Sequence, residues 1–256
     1  LYHTLGAFLQ NLRIFKKLGL FRKFWYNKKD ISRSGGNGMD ILYDDNRILV
    51  CVKPAGVVSA GDEAGSMVDL LRKALGSETA CVRSVHRLDA QVSGLMVFAR
   101  SQAAASILSE EIREKEFKKE YLAVVRGAFE APEGQMEDLL WYNRSLRKAR
   151  VMEGPGKDVK KALLSYEALG YSEAENASLV KLRLHTGRTH QIRVQFSARD
   201  HALLGDRKYG AGEFDRCNIA LWSWRLSFLH PQSMERVTFC QTPPTVFPWS
   251  LFSLTE

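Results

Sequence analysis

Short apolar runs divided by turn residues dominate this chain, and most are too brief or too strictly alternating to be helices. Residues 40–43 and 47–53 read as two strands, with Asp44-Asp45-Asn46 turning between them and Lys53-Pro54-Ala55-Gly56 ending the second. Residues 94–100 are almost wholly apolar over a strand's length, the pattern of a strand covered on both faces. Alternation around Tyr121-Leu122-Ala123-Val124-Val125 predicts a strand within 116–127. Similar patterns place strands at 162–169, 178–185, 219–229 and 235–240. Helical spacing occurs in three places. Ser66 with Asp69 three residues on is a variant capping box, and Gly76 stops that helix. Ser101 caps a second, with Ala104, Ile107, Leu108 and Ile112 on one stripe. Thr189 to Arg199 forms the third, with Ile192 and Phe196 on one side. Residues 130–160 are polar, contain glycine, carry Arg144, Arg147, Lys148 and Arg150, and are expected to be loop-rich. Strands and helices mix without regular βαβ alternation, so the expected class is α+β: a mixed, mostly antiparallel sheet flanked by helices.

Composition and charge modify this picture in two ways. The first is that a net charge of +8 suggests a nucleic-acid partner, yet eight basic side chains and one acid lie within residues 1–38, leaving +1 for the rest. Binding of a polyanion would therefore depend on local clustering in the body of the protein. The second concerns that basic segment. It ends in Ser34-Gly35-Gly36-Asn37-Gly38, and Met39 opens a clean domain start. We expect residues 1–38 to be an upstream extension, with Met39 as initiator and residues 39–256 as one catalytic domain. A cationic targeting helix and a packed surface helix are the alternatives. No run is long and apolar enough to span a bilayer, and the expectation is a cytoplasmic protein. Cys51, Cys81, Cys217 and Cys240 are scattered in apolar surroundings without a C-x-x-C pair, so buried free thiols are expected.

Chemistry concentrates in two runs. His86-Arg87-Leu88-Asp89, closed by Ser93-Gly94, sets one carboxylate at a loop tip beside the apolar strand. About a hundred residues later comes Thr186-Gly187-Arg188-Thr189-His190-Gln191-Ile192-Arg193. Between them lies Lys119-Glu120-Tyr121-Leu122-Ala123-Val124-Val125-Arg126-Gly127, and after them Leu204-Gly205-Asp206-Arg207-Lys208-Tyr209-Gly210 and Phe228-Leu229-His230-Pro231. The histidines lack zinc-hydrolase spacing, and there is no P-loop, no dinucleotide-binding glycine run and no nucleophile-elbow serine.

In this order, these runs resemble the RNA pseudouridine synthases of the RluA type over residues 40–243. The resemblance implies the fold of that family, with a central RNA-binding cleft, and isomerisation of a uridine in ribosomal or transfer RNA. The reaction breaks the C1′–N1 bond, turns the uracil and rejoins it through C5, so it needs neither cofactor nor metal. By the resemblance, Asp89 is the essential catalytic residue, attacking C1′ or removing a C2′ proton. Tyr121 is the active-site tyrosine, able to stack on uracil, and Arg193 pairs with Asp89, its fork holding the carboxylate ionised by lowering its pKa. Arg87 takes the space left by a flipped-out base, with His86 beside it. Lys53, Arg188, His190 and Gln191 are candidate phosphate or base contacts, and Leu221 a candidate apolar wall of the uracil pocket. The sequence departs from the family pattern at Ala90-Gln91-Val92 and at Asp200-His201-Ala202, positions that bear on RNA contacts and hence on the target. Structured RNA is the expected partner of what we expect to be a monomer. A catalytically silent RNA binder on the same fold stands as the alternative. A glycoside hydrolase is a distant third, since it wants two flanking carboxylates.

Overall fold

A computed structural model of the chain describes residues 39–210 and 216–254, and ahead of them only the strand pairs β1 (Phe24–Trp25) and β2 (Arg33–Ser34). The origin proposed for residues 1–38 otherwise falls outside the described residues. The remaining strands are β3 (Asp40–Asp44), β4 (Ile48–Lys53), β5 (Arg83–Ser84), β6 (Ser93–Ala99), β7 (Lys118–Arg126), β8 (Glu133–Asn143), β9 (Lys148–Met152), β10 (Lys160–Ser172), β11 (Ala177–Leu184), β12 (Leu221–Leu229) and β13 (Arg236–Cys240). Among the described residues three α-helices accompany them: α1 (Met67–Ala74), α2 (Gln102–Arg113) and α3 (Gln191–Ser197). Among the described residues all thirteen strands join one sheet, ordered β2-β3-β4-β6-β12-β7-β11-β10-β8-β9. β13 pairs with β12, β1 with β13, and β5 with β6. Among the described strands only β6–β12 and β1–β13 are parallel, so the α+β, mostly antiparallel expectation holds.

The period of two along each strand sorts side chains onto two faces. Leu49, Cys51, Met96, Phe98, Tyr121, Ala123 and Val125 point to one face, where α1 contributes Met67, Val68 and Leu71, and α3 contributes Ile192 and Phe196. Ile48, Val50, Leu95 and Val97 point to the other, beneath Ala104 and Leu108 of α2. β6 is apolar on both sides because it is covered on both sides. The caps fall where the sequence puts them. Ser66 Oγ accepts the Asp69 N–H while the Asp69 carboxylate accepts the Gly65 N–H, and Ser101 Oγ accepts the Ala104 N–H.

One expectation fails. Residues 130–160 are not loop-rich: they hold β8 and β9, a hairpin whose β8 also pairs with β10. Charge masks this region because only one side is covered. Leu140, Ala149 and Ala162 pack with Val194 of α3, while the intervening positions carry Lys, Arg and Glu into solvent. A second difference concerns the thiols: none of the four forms a disulfide, but only Cys51 is buried, and Cys81, Cys217 and Cys240 are half-buried.

β12 is the strand that organises the site. Its first residues run parallel to β6, its later ones pair with β13, and its other edge follows β7. The β6 contact needs glycine. Gly94 has φ +114°, and a Cβ there would sit 2.5 Å from both the N and the O of Ser223. Gly94→Ala is expected to lower the unfolding free energy by at least about 2 kcal/mol. A urea unfolding curve superimposable on wild type would contradict this packing.

Candidate active site

Asp89 stands at the tip of the loop between β5 and β6, and the backbone on either side of it is fixed. Ser59 Oγ donates to the Leu88 carbonyl at 2.5 Å and accepts the Leu88 N–H at 3.0 Å. The Ala90 carbonyl accepts from Lys53 Nζ at 2.8 Å and from the Gly56 N–H at 2.8 Å. The Asp89 carbonyl accepts the Val92 N–H at 3.0 Å, closing the turn. The carboxylate, on a side chain 25% exposed, is thus presented by a rigid tip.

Arg193 reaches it from α3. Its Nη1 donates to Asp89 Oδ2 at 2.9 Å, and its Nε and Nη2 donate to Asp206 Oδ2 and Oδ1, both at 2.8 Å. Asp206 is fully buried, and its Oδ1 also accepts the N–H groups of Lys208 and Tyr209. Burial by itself would raise the Asp206 pKa, but the guanidinium and the two amides outweigh it and hold the carboxyl below its usual range. Burial likewise works against the charge on Arg193, and the two carboxylates more than offset it. The guanidinium also lies over the Tyr209 ring, 5.1 Å from its centroid.

Asp89 and Arg193 open on a cavity of about 1100 Å³ lined also by Tyr121, Leu221, His190 and Arg87. Tyr121 is 5% exposed, and burial first, then the Asp89 charge, push its phenol pKa upward, so the hydroxyl keeps its proton. Lys119, two residues earlier on β7, lines the same cavity; its ammonium lies 5.4 Å from the centroid of the Phe117 ring. Burial depresses its pKa to about 8.

Residues 47–198 match the family model described as RNA pseudouridylate synthase. The chain belongs to this family. It is 34% identical over 204 residues to the RNA pseudouridine synthase YhcT of Bacillus subtilis, covering 78% of this chain and 67% of that one. It is 35% identical over 204 residues to the dual-specificity RNA pseudouridine synthase RluA of Escherichia coli, covering 78% and 90%. Among solved structures, human RNA pseudouridylate synthase domain containing 1 superposes with a TM-score of 0.68 at 28% identity, over 87% of this chain and 89% of that one. The enzyme is therefore an RNA pseudouridine synthase, an isomerase.

Within this RNA pseudouridine synthase, Asp89, Tyr121, Arg193 and Leu221 meet in one cavity although up to 104 residues separate bonded partners. Arg87 is exposed at its edge. Arg188 is exposed too, and its Nε donates to the Lys161 carbonyl at 2.9 Å. Other expected RNA contacts are engaged inside the protein. Lys53 is fully buried, its ammonium bonded to the carbonyls of Pro54 and Ala90. Its charge suggested an outward role, but its ammonium serves the Asp89 loop through the Ala90 carbonyl. Gln191 is buried, and its Oε1 accepts from Thr186 Oγ1 and the Arg188 N–H, holding the approach to α3 closed. His86 is buried beside Phe117, and its Nε2 accepts the Val97 N–H. Burial, with Lys119 nearby, keeps it neutral. Sequence reasoning assigned no role to Asp206, Tyr209, Ser59 or Lys119. The first two lie in the quoted 204–210 run, and Lys119 shares the face of Tyr121 by the period of two.

Two measurements follow from these contacts. Asp206→Asn strips Arg193 of its buried partner and is expected to cost about 3–5 kcal/mol of stability, read by urea denaturation; a loss under 1 kcal/mol would contradict the clamp. Burial lowers the Lys53 pKa to about 8, against the pull of Asp89, while in the unfolded chain it stays near 10.4. Between those values the unfolded state binds more protons, so the Lys53 contribution to stability rises with pH from about 8 to about 10.4 and is lost below. Wild type should gain stability relative to Lys53→Met as pH rises through that window, and a difference independent of pH would argue against a buried amine.

Proposed function

We propose that the cleft isomerises a uridine in ribosomal or transfer RNA to pseudouridine, with Asp89 as the catalytic carboxylate and residues 39–256 as the catalytic unit. One observation carries this reading. Asp89 is held through Oδ2 alone by a buried arginine, and among the described residues no hydrogen bond reaches its Oδ1. That oxygen is free to attack C1′ or to take the C2′ proton of a ribose placed in the cavity.

The neighbouring groups supply what the reaction requires. Tyr121 offers a ring on which the uracil can stack, an interaction worth roughly 1–3 kcal/mol, and keeps the detached base from leaving while it turns. Leu221 closes the base site with an apolar wall. A uridine in folded RNA must leave its stack to enter, and Arg87, at the cavity edge with no fixed partner among the described residues, is placed to fill the space it vacates. Arg193 holds the carboxylate in one orientation through a planar fork that a lysine cannot reproduce. Arg188 and Lys119 line the approach, where the phosphates of the strand would run.

The test is base-resolution pseudouridine mapping in cells lacking the gene, complemented with wild type, Asp89→Asn or Arg193→Lys. Wild type should restore a lost site. Asp89→Asn should restore none, and the purified variant should be slower by more than about a thousandfold. Arg193→Lys should be severely impaired. Equal restoration by wild type and Asp89→Asn would move the function to an RNA binder that does no chemistry.

A further inference from the structure

His190 stood among the candidate RNA contacts, but its surroundings assign it another task. Its backbone is left-handed, with φ +55°, immediately before α3, which turns the ring back over the site. The ring is held edge-on between two tyrosines, Tyr142 of β8 at 5.7 Å and Tyr209 at 5.5 Å between centroids. Its Nδ1 lies 2.7 Å from Tyr209 Oη, and its Nε2 lies 3.8 Å from Asp89 Oδ2. Tyr209 Oη also accepts the Ala149 N–H of β9 at 2.6 Å.

These contacts decide where the protons sit. The Ala149 N–H can only donate, so it occupies a lone pair of Tyr209 Oη. Burial, against the pull of the neighbouring Arg193, carries the phenol pKa to about 12, so Tyr209 keeps its own proton and must place it on an acceptor. Among the described residues, the acceptor within reach is His190 Nδ1. Burial keeps His190 neutral by lowering its pKa, although Asp89 works in the other direction. A neutral ring with a bare Nδ1 carries its hydrogen on Nε2, facing the carboxylate. The opposite tautomer would leave the phenol hydrogen without a partner and set a lone pair against Asp89 Oδ2.

We propose that Tyr209 and His190 are positioning residues for the catalytic carboxylate. In this relay the Ala149 N–H fixes the Tyr209 hydroxyl, Tyr209 fixes the His190 tautomer, and the His190 Nε2–H faces the same Asp89 Oδ2 that Arg193 holds. The relay begins on the β8–β9 hairpin, whose end carries Arg144, Arg147, Lys148 and Arg150. It therefore ties the orientation of the reactive oxygen to the placement of a basic, solvent-facing ribbon. At 3.8 Å the last contact is a charge–dipole one, with room to shorten when substrate displaces water. The proposal rests on the reading of Asp89 as the catalytic carboxylate.

Two experiments separate the relay from that reading. Long-range 1H–15N correlation of the His190 ring in the free protein should show the proton on Nε2, and in Tyr209→Phe a population protonated on Nδ1. A wild-type ring protonated on Nδ1 would overturn the relay whatever the reaction proves to be. In kinetics, Tyr209→Phe keeps the ring beneath Arg193 and should lower kcat by about 10- to 100-fold with KM for RNA unchanged. His190→Gln, which can present an amide N–H to Asp89, should retain more activity than His190→Ala. An unchanged kcat in Tyr209→Phe, or equal losses in the two His190 variants, would also overturn it. If Asp89→Asn keeps the wild-type rate, the catalytic reading falls with the relay's part in it, while the tautomer measurement still decides the hydrogen bonding.

Discussion

A single guanidinium bridging two carboxylates is the constraint on which this site depends. Arg193 is 8% exposed, and taking its charge out of water costs several kcal/mol unless strong partners replace the solvent. Asp206 supplies a bidentate pair and is itself held by two backbone amides of the turn that follows it. That turn comes close to the chain before β12 only because residue 205 is glycine. Its φ is +70°, and a Cβ there would lie 2.4 Å from the Asn218 carbonyl oxygen. The remaining guanidinium nitrogen then points at Asp89, so the position of that carboxylate is inherited from a buried pair behind it.

The sheet brings the other half of the site to the same place. Tyr121 and Lys119 share one face of β7, and Leu221 begins β12 opposite Ala123 in register. The parallel junction of β12 with β6 at Gly94 places that pair of strands directly beside the Asp89 loop. Lys53, at the end of β4, completes the arrangement by bonding the carbonyl that follows Asp89. The carboxylate is therefore fixed twice: along the backbone by Ser59, Gly56 and Lys53, and at the side chain by Arg193, with His190 Nε2 3.8 Å from the same oxygen.

Much of this was legible because it is local. Alternation identifies β4, β7 and β11, a continuous apolar run identifies β6, and Ser66 and Ser101 mark helix starts by chemistry that acts within four residues. Asp89, Tyr121 and Arg193 could be named from ordered motifs without any knowledge of the cavity. What stayed hidden is non-local or runs against residue type. The β8–β9 hairpin has one covered face and a charged edge, so its composition resembles a loop, and its pairing with β10 is invisible in its own sequence. A buried lysine contradicts the usual expectation for lysine, and only the two converging carbonyls explain Lys53. Asp206 lies 13 residues beyond Arg193, a separation with no periodic meaning once α3 has ended at Ser197.

The central claim is that Asp206, Arg193 and Asp89 act as one unit in orienting the reactive oxygen. The most direct measurement is a double-mutant cycle on single-turnover pseudouridine formation, comparing Arg193→Lys, Asp206→Asn and the two together on folded protein. A linked clamp predicts that the double variant is no slower than the slower single one, since either change breaks the same connection. Losses that multiply would show that Arg193 and Asp206 act independently, and would contradict the account.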